Sequence, residues 1–100
     1  MTDTIEARVV RGAALLDETL PGWVERIDLD NLALDDECDC VLGQTWDGYS
    51  LSSPFDAHMN ELGLLGSEGI EHGFDVRDPR EYEALTAEWK RLVEARRSAS

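Results

Sequence analysis

Four side chains in this sequence belong to types that ligate metals or act as nucleophiles: Cys38, Cys40, His58 and His72. Together they would make a nitrogen–sulfur set of the kind that holds tetrahedral zinc. The spacing is a Cys-x-Cys pair followed by two isolated histidines, which is not a zinc-finger spacing. A small zinc-binding regulator using these four residues is therefore an alternative reading. The leading expectation is that Cys40 is a small core residue and Cys38 a partly exposed thiol. The acids around them, Asp35, Asp36, Glu37 and Asp39, oppose formation of a thiolate. A bridge from Cys38 to Cys40 would close a very small, strained ring, so reduced thiols in a cytoplasm are expected.

Other chemistry finds little support. Asp28-x-Asp30 resembles the opening of a calcium loop, but Leu32 stands at its fifth position and Ala33 at the sixth, where glycine is needed. There is no phosphate-cradling glycine loop and no nucleophile elbow. Neither His58 nor His72 has a nucleophile beside it in sequence. The expectation is a protein that is not an enzyme and carries no cofactor.

Charge is the stronger signal. The chain has 100 residues, 42% of them hydrophobic, and a net charge of −13. From Ile27 to Asp75 there are twelve acids and no Lys or Arg, whereas the flanks carry the other ten acids against nine bases. Direct phosphate binding needs the opposite sign, so nucleic acid is excluded as a direct partner. An acidic face attracts a basic partner, imitates nucleic-acid phosphates, or only keeps the protein soluble. Asp35, Asp36 and Glu37 are the candidate interaction residues within this block. Trp46 and Tyr49, flanking Asp47-Gly48, are the candidate aromatic contacts, and Trp23 and Trp89 are expected in the core.

These residues must be positioned by helices. Ile5, Val9, Ala13, Leu16 and Leu20 recur at helical spacing after Asp3-Thr4-Ile5-Glu6, read as a capping box with Asp3 at the cap. Gly12 is expected to weaken that helix by up to about 1 kcal/mol relative to Ala. Trp23, Val24 and Ile27 read as one or two further helical turns with Pro21 in the first turn, and residues 28–34 read as irregular or 3₁₀ because Asp and Asn are poor strand formers. Asp39 is a plausible cap for a short helix over 40–46, in which Gly43 admits a close neighbour. Ser53-Pro54 starts a helix stopped by Gly63 or Gly66, and one further turn is expected from Ser67 to His72, stopped by Gly73. Asp78-Pro79-Arg80-Glu81 is a capping box opening the last helix, whose buried stripe is Tyr82, Leu85, Trp89, Leu92 and Val93. Lys90, Arg91, Arg96 and Arg97 suit its C-terminal end. No apolar run reaches the ~20 residues of a membrane span.

Several stretches carry a resemblance: Arg11-Gly12-Ala13-Ala14-Leu15-Leu16-Asp17-Glu18, Pro21-Gly22-Trp23, Ile27-Asp28-Leu29-Asp30, Cys38-Asp39-Cys40-Val41-Leu42-Gly43-Gln44, His72-Gly73-Phe74-Asp75, and Leu85 with Trp89. Over most of its length the chain resembles a group of small proteins of actinobacteria and their phages. The resemblance implies origin and no activity, and it assigns no site residue. The expected fold is a mainly α, compact small helical bundle with short irregular or 3₁₀ connections. It would form one acidic domain over residues 1–100, with 98–100 frayed. The expected function is that of a non-enzymatic cytoplasmic protein of phage type, binding a host or phage protein through its acidic face. A nucleic-acid mimic that blocks a DNA-binding protein is the alternative beside the zinc regulator.

Overall fold

The computed structural model of the chain describes residues 4–46, 48, 53–64 and 66–99. Its elements are α1 (Ile5–Thr19), α2 (Trp23–Arg26), α3 (Val41–Thr45), α4 (Pro54–Leu62), α5 (Ser67–Glu71), a 3₁₀ turn (Pro79–Glu81) and α6 (Tyr82–Ala99), with no strand among the described residues. The mainly α bundle is as expected. The long helices α1 and α6 lie against each other, α3 lies against α4, α5 sits on α1, and α2 reaches both α6 and α3. The radius of gyration, 12.5 Å, is close to the ~13 Å of a compact 100-residue domain.

The helix starts follow from side chains that take up orphan backbone donors. Ser53 Oγ accepts from Asp56 N at 3.1 Å, with Pro54 at the first helical position of α4. For α1 the cap is Thr4, whose Oγ1 accepts from Ala7 N at 3.0 Å, and not Asp3, which lies outside the described residues. For α3 the cap is Cys40 and not Asp39: its sulfur accepts from Gly43 N at 3.2 Å. Pro21 precedes the cap of α2, which is Gly22 in the left-handed region at φ 88°.

The Asp78 box is rewired. Asp78 Oδ1 accepts from Arg80 N at 2.9 Å, but Glu81 reaches past the cap. Its Oε1 accepts from Arg77 N at 3.1 Å and its Oε2 from Arg8 at 3.2 Å. That opening turn is 3₁₀. Gly63 ends α4 at φ 73°, as Gly73 ends the turn after α5 at φ 73°.

One hydrophobic cluster joins these elements. Its centre is Trp89, whose ring stacks on Phe74 (centroids 5.5 Å apart, planes at 16°) and meets Trp23 edge-on (5.8 Å, 85°). Both indoles satisfy their N–H groups: Trp89 Nε1 donates to Gly73 O at 2.7 Å, and Trp23 Nε1 to Asp17 Oδ1 at 2.9 Å. Leu85, Trp89 and Val93 of α6 and Val9, Ala13 and Leu16 of α1 are fully buried. Each large apolar side chain so buried contributes about 1.5–3 kcal/mol. Gly12 faces the same seam. A Cβ there would overlap His72 O and come within 3.0 Å of Trp89 and 3.1 Å of Phe74, so the missing side chain is what lets α1 approach.

The late arginines of α6 serve α2 more than their own helix terminus. Arg96 Nη1 donates to Asp17 Oδ1 at 2.7 Å, and its guanidinium lies 5.9 Å from the centroid of the Trp23 ring. Arg97 donates to Val24 O at 2.8 Å and also to Ile27 O, closing the C-terminal carbonyls of α2.

Candidate interaction cleft

The segment between α2 and α3 has no regular helix, yet it is tightly built. Gln44 holds one end: its Oε1 accepts from Asp28 N at 2.6 Å and its Nε2 donates to Asp39 O at 2.9 Å. Thr86 of α6 holds the middle, accepting from Leu34 N at 3.0 Å. Asp36 organises the next turn from within, because its Oδ1 accepts from Cys38 N at 2.8 Å and Asp39 N at 3.0 Å. The backbone of Gly43 abuts Glu37 and Cys38, where a Cβ would overlap Glu37 O. The close approach expected of Gly43 is therefore to the acidic turn itself.

This scaffold presents Asp35, Asp36 and Glu37, all exposed, on a cleft of about 270 Å³. Asp56, from the first turn of α4, and Asp75, after the Gly73 turn, line the same cleft, bringing five carboxylates to it; its other walls are Leu34, Phe55, Phe74 and Tyr82. The lining holds no Lys or Arg. Burial pushes the Tyr82 phenol above its ordinary range, and the charges of Asp75 and Asp35 and a hydrogen bond with Asp75 push it the same way. Tyr82 is therefore a protonated donor at neutral pH. A broader groove of about 780 Å³, lined among others by Ala33, Pro79, Thr86 and Lys90, shares Asp35 and Tyr82 with the cleft. Arrays of this kind, negative charge beside aromatic faces, are complementary to a guanidinium or ammonium group.

Four arginines of the chain ends pair with acids of the ends. Arg8–Glu81 at 3.2 Å, Arg80–Asp78 at 2.7 Å and Arg96–Asp17 at 2.7 Å are such pairs, as is Arg91–Glu88. Among them Arg8 escaped sequence reasoning. It is 4% exposed, and its Nε and Nη1 are buried without a hydrogen-bond partner among the described residues. The spacing from Ile5 to Val9 puts residue 8 beside the apolar stripe, and only that hint was available.

The other sequence candidates fall elsewhere. Trp46 does not join the acidic residues. It is half-buried with its ring centroid 5.5 Å from that of His58, beside a separate cavity. Tyr49 lies outside the described residues. Cys38, Cys40, His58 and His72 do not form a ligand set: no three His, Cys, Asp or Glu side chains converge for a metal among the described residues. Cys40 is buried as the cap of α3, and burial pushes its thiol up to about 11. His58 Nδ1 sits 3.0 Å from Leu42 O, and His72 Nδ1 2.8 Å from Glu68 O. Cys38 is exposed.

Among the described residues no helix is long and apolar enough to cross a membrane. No family model, no curated protein and no solved structure matches the chain.

Proposed function

We propose that the chain is a non-enzymatic cytoplasmic interaction protein whose acidic cleft receives a basic segment of a partner protein. The observation that carries this reading is the convergence of Asp35, Asp36, Glu37, Asp56 and Asp75 on one cleft walled by Phe55, Phe74 and Tyr82. A lysine or arginine side chain entering there meets carboxylates at its head and apolar or aromatic surface along its stem. The cleft is an anchor and not a whole interface, since a specific complex buries more than about 1,000 Å² in total. The negative charge of residues 27–75, which hold twelve acids and no Lys or Arg, adds steering, which raises association rates and weakens with salt. Under this reading the partner is a host or phage protein.

The test uses a hexa-arginine peptide titrated into the full chain by calorimetry, with affinity capture from a host lysate beside it. Asp35→Lys with Glu37→Lys is the variant of choice, because Asp36 also ties the turn together through Cys38 N and Asp39 N. The double variant is expected to lose most peptide binding at unchanged Tm, and binding by the original chain should fall steeply between 50 and 200 mM salt, concentrations chosen to span the range over which surface charges become screened, on the order of a 10 Å Debye length. Equal binding by the double variant would overturn the reading. If duplex DNA competes for the captured protein, the site acts as a nucleic-acid mimic instead.

A further inference from the structure

We infer that the groove leading out of the acidic cleft along α6 selects the charge order of the bound segment. It fits an extended stretch of a partner protein that places basic residues in the cleft and a carboxylate about four residues further on, at Lys90. This rests on the cleft being the docking site of a basic segment. The groove, about 780 Å³, joins the cleft at Asp35 and Tyr82, which line both. From there it follows one face of α6, because Tyr82, Glu83, Thr86, Ala87 and Lys90 line it and stand three and four residues apart. Ala33 and Asp35 form the facing wall. Between them Leu34 N donates to Thr86 Oγ1 at 3.0 Å, and a wall tied to the helix in this way leaves little to be ordered on binding.

Charge changes sign along this groove. Asp35 and Glu83 stand at the Tyr82 end and continue the acid of the cleft. Arg80, at the same end, is already engaged: its Nε donates to Asp78 Oδ2 at 3.1 Å and its Nη2 at 2.7 Å. Lys90 is the opposite case. Its side chain has no ion pair or hydrogen bond among the described residues, so its charge is open to a ligand. Eight residues of helix put Lys90 about 12 Å from Tyr82 along the axis. An extended chain at about 3.3 Å per residue covers that distance in about four residues. Ala33 and Ala87, between the two ends, are small and leave room for backbone with small side chains.

The probes are end-capped hexapeptides. One holds two arginines, three alanines and a glutamate in that order; a second has glutamine for the glutamate; a third has the glutamate next to the arginines. Each is made in both chain orders and titrated into the ¹⁵N-labelled full chain by NMR up to millimolar peptide. General attraction to a chain of net charge −13 favours the glutamine peptide, which is the more positive. The spaced glutamate peptide should nevertheless bind more tightly than the glutamine peptide in at least one chain order, by about two- to fivefold, the worth of an exposed ion pair. The third peptide, equal to it in charge, should bind more weakly than either. Lys90→Met, which keeps an apolar stem, should erase the advantage and leave the glutamine peptide bound as before. Two results would overturn the inference and leave the cleft reading standing: a spaced glutamate peptide no tighter than the glutamine peptide in both orders, or an advantage that survives Lys90→Met. If none of the arginine peptides binds, the cleft reading falls and this inference falls with it.

Discussion

Replacing Gly12 by alanine sets a rule of local structure against a rule of packing. In a solvent-exposed helix the change stabilises by about 1 kcal/mol, since glycine is a poor helix former. Here α1 presents Gly12 to the loop after α5 and to the aromatic centre. The added methyl would overlap the His72 carbonyl oxygen and sit 3.0 Å from Trp89 and 3.1 Å from Phe74. A flexible side chain could swing away, but the nearest atom is backbone, and Gly73, next to it, is held by the Trp89 indole at 2.7 Å. The Gly73 backbone has little room to retreat, because its own Cα region abuts Val9, to which a Cβ on Gly73 would come within 3.0 Å. Overpacking costs about 1–3 kcal/mol, and a clash with fixed backbone takes the top of that range. Subtracting the propensity gain leaves a net loss of about 2 kcal/mol. At about 4–8 °C per kcal/mol for a domain of this size, Tm should fall by roughly 8–16 °C. Urea melts monitored by tryptophan fluorescence would measure this directly, with Trp23 and Trp89 reporting the core. A Gly12→Ala chain with an unchanged or higher Tm would show that α1 does not make this approach.

Further outcomes follow from the pairs and caps. Glu81 is held below the usual carboxylate range by its hydrogen bond from Arg8 and by that from the Arg77 backbone. The stability it supplies is therefore present above its unfolded value near 4.5 and lost as pH falls through the lower folded value. Glu81→Gln should flatten the decline of Tm below that pH, and an unaltered acid limb would refute the role of the pair. Of the two thiols, only Cys38 should react quickly with a disulfide reagent in the folded chain, because Cys40 is buried with its thiol pushed up to about 11; two equal fast thiols would contradict the capping geometry. Arg97→Ala should cost about 1–2 kcal/mol, the worth of charged hydrogen bonds that are partly buried, and should raise hydrogen exchange in α2, whose Val24 and Ile27 carbonyls it closes. Exchange in α2 equal to that of the original chain would show that the helix is capped by other means.

What could be read from the chain before its structure was local, and the reason is physical. Ser53-Pro54 and the Leu85–Trp89–Val93 stripe depend on neighbours within one helical turn, and both stand as expected. Caps shifted by a single residue, from Asp3 to Thr4 and from Asp39 to Cys40, because adjacent residues each offer an acceptor, even one as weak as a thiol sulfur, and tertiary contacts choose between them. For α3 the choice is set by Gly43, which must lie against Glu37 and Cys38; the sulfur of Cys40 then falls on the Gly43 N–H. The Asp78 box failed for a longer-range reason. Glu81 was free to turn back on its own cap, but Arg8, 73 residues earlier, is buried and charged, and a buried cation without a counter-ion costs more than a local cap is worth.

The acidic cleft shows the same division. The density of acid between residues 27 and 75 is visible in one dimension, and Asp35, Asp36 and Glu37 stand together because they are consecutive. Nothing in their spacing says that Asp36 is spent largely on its own turn, or that Asp56 and Asp75 arrive beside them from other segments. Bringing those carboxylates together costs electrostatic energy in the free protein, all the more because no lysine or arginine lines the cleft. Such a cost is retained in a fold when something cationic recovers it or when the turn geometry forces it. Neutralising one carboxylate separates the two cases. Asp75→Asn removes charge from the wall of the cleft while keeping an acceptor for Val76 N, which Asp75 Oδ1 now holds at 2.8 Å. If the array is built for a cation, this variant should gain stability, by up to about 1 kcal/mol as relieved surface repulsion, and lose affinity for an arginine peptide. If it gains stability with affinity intact, the cleft is only a by-product of the turn that Asp36 and Gly43 impose.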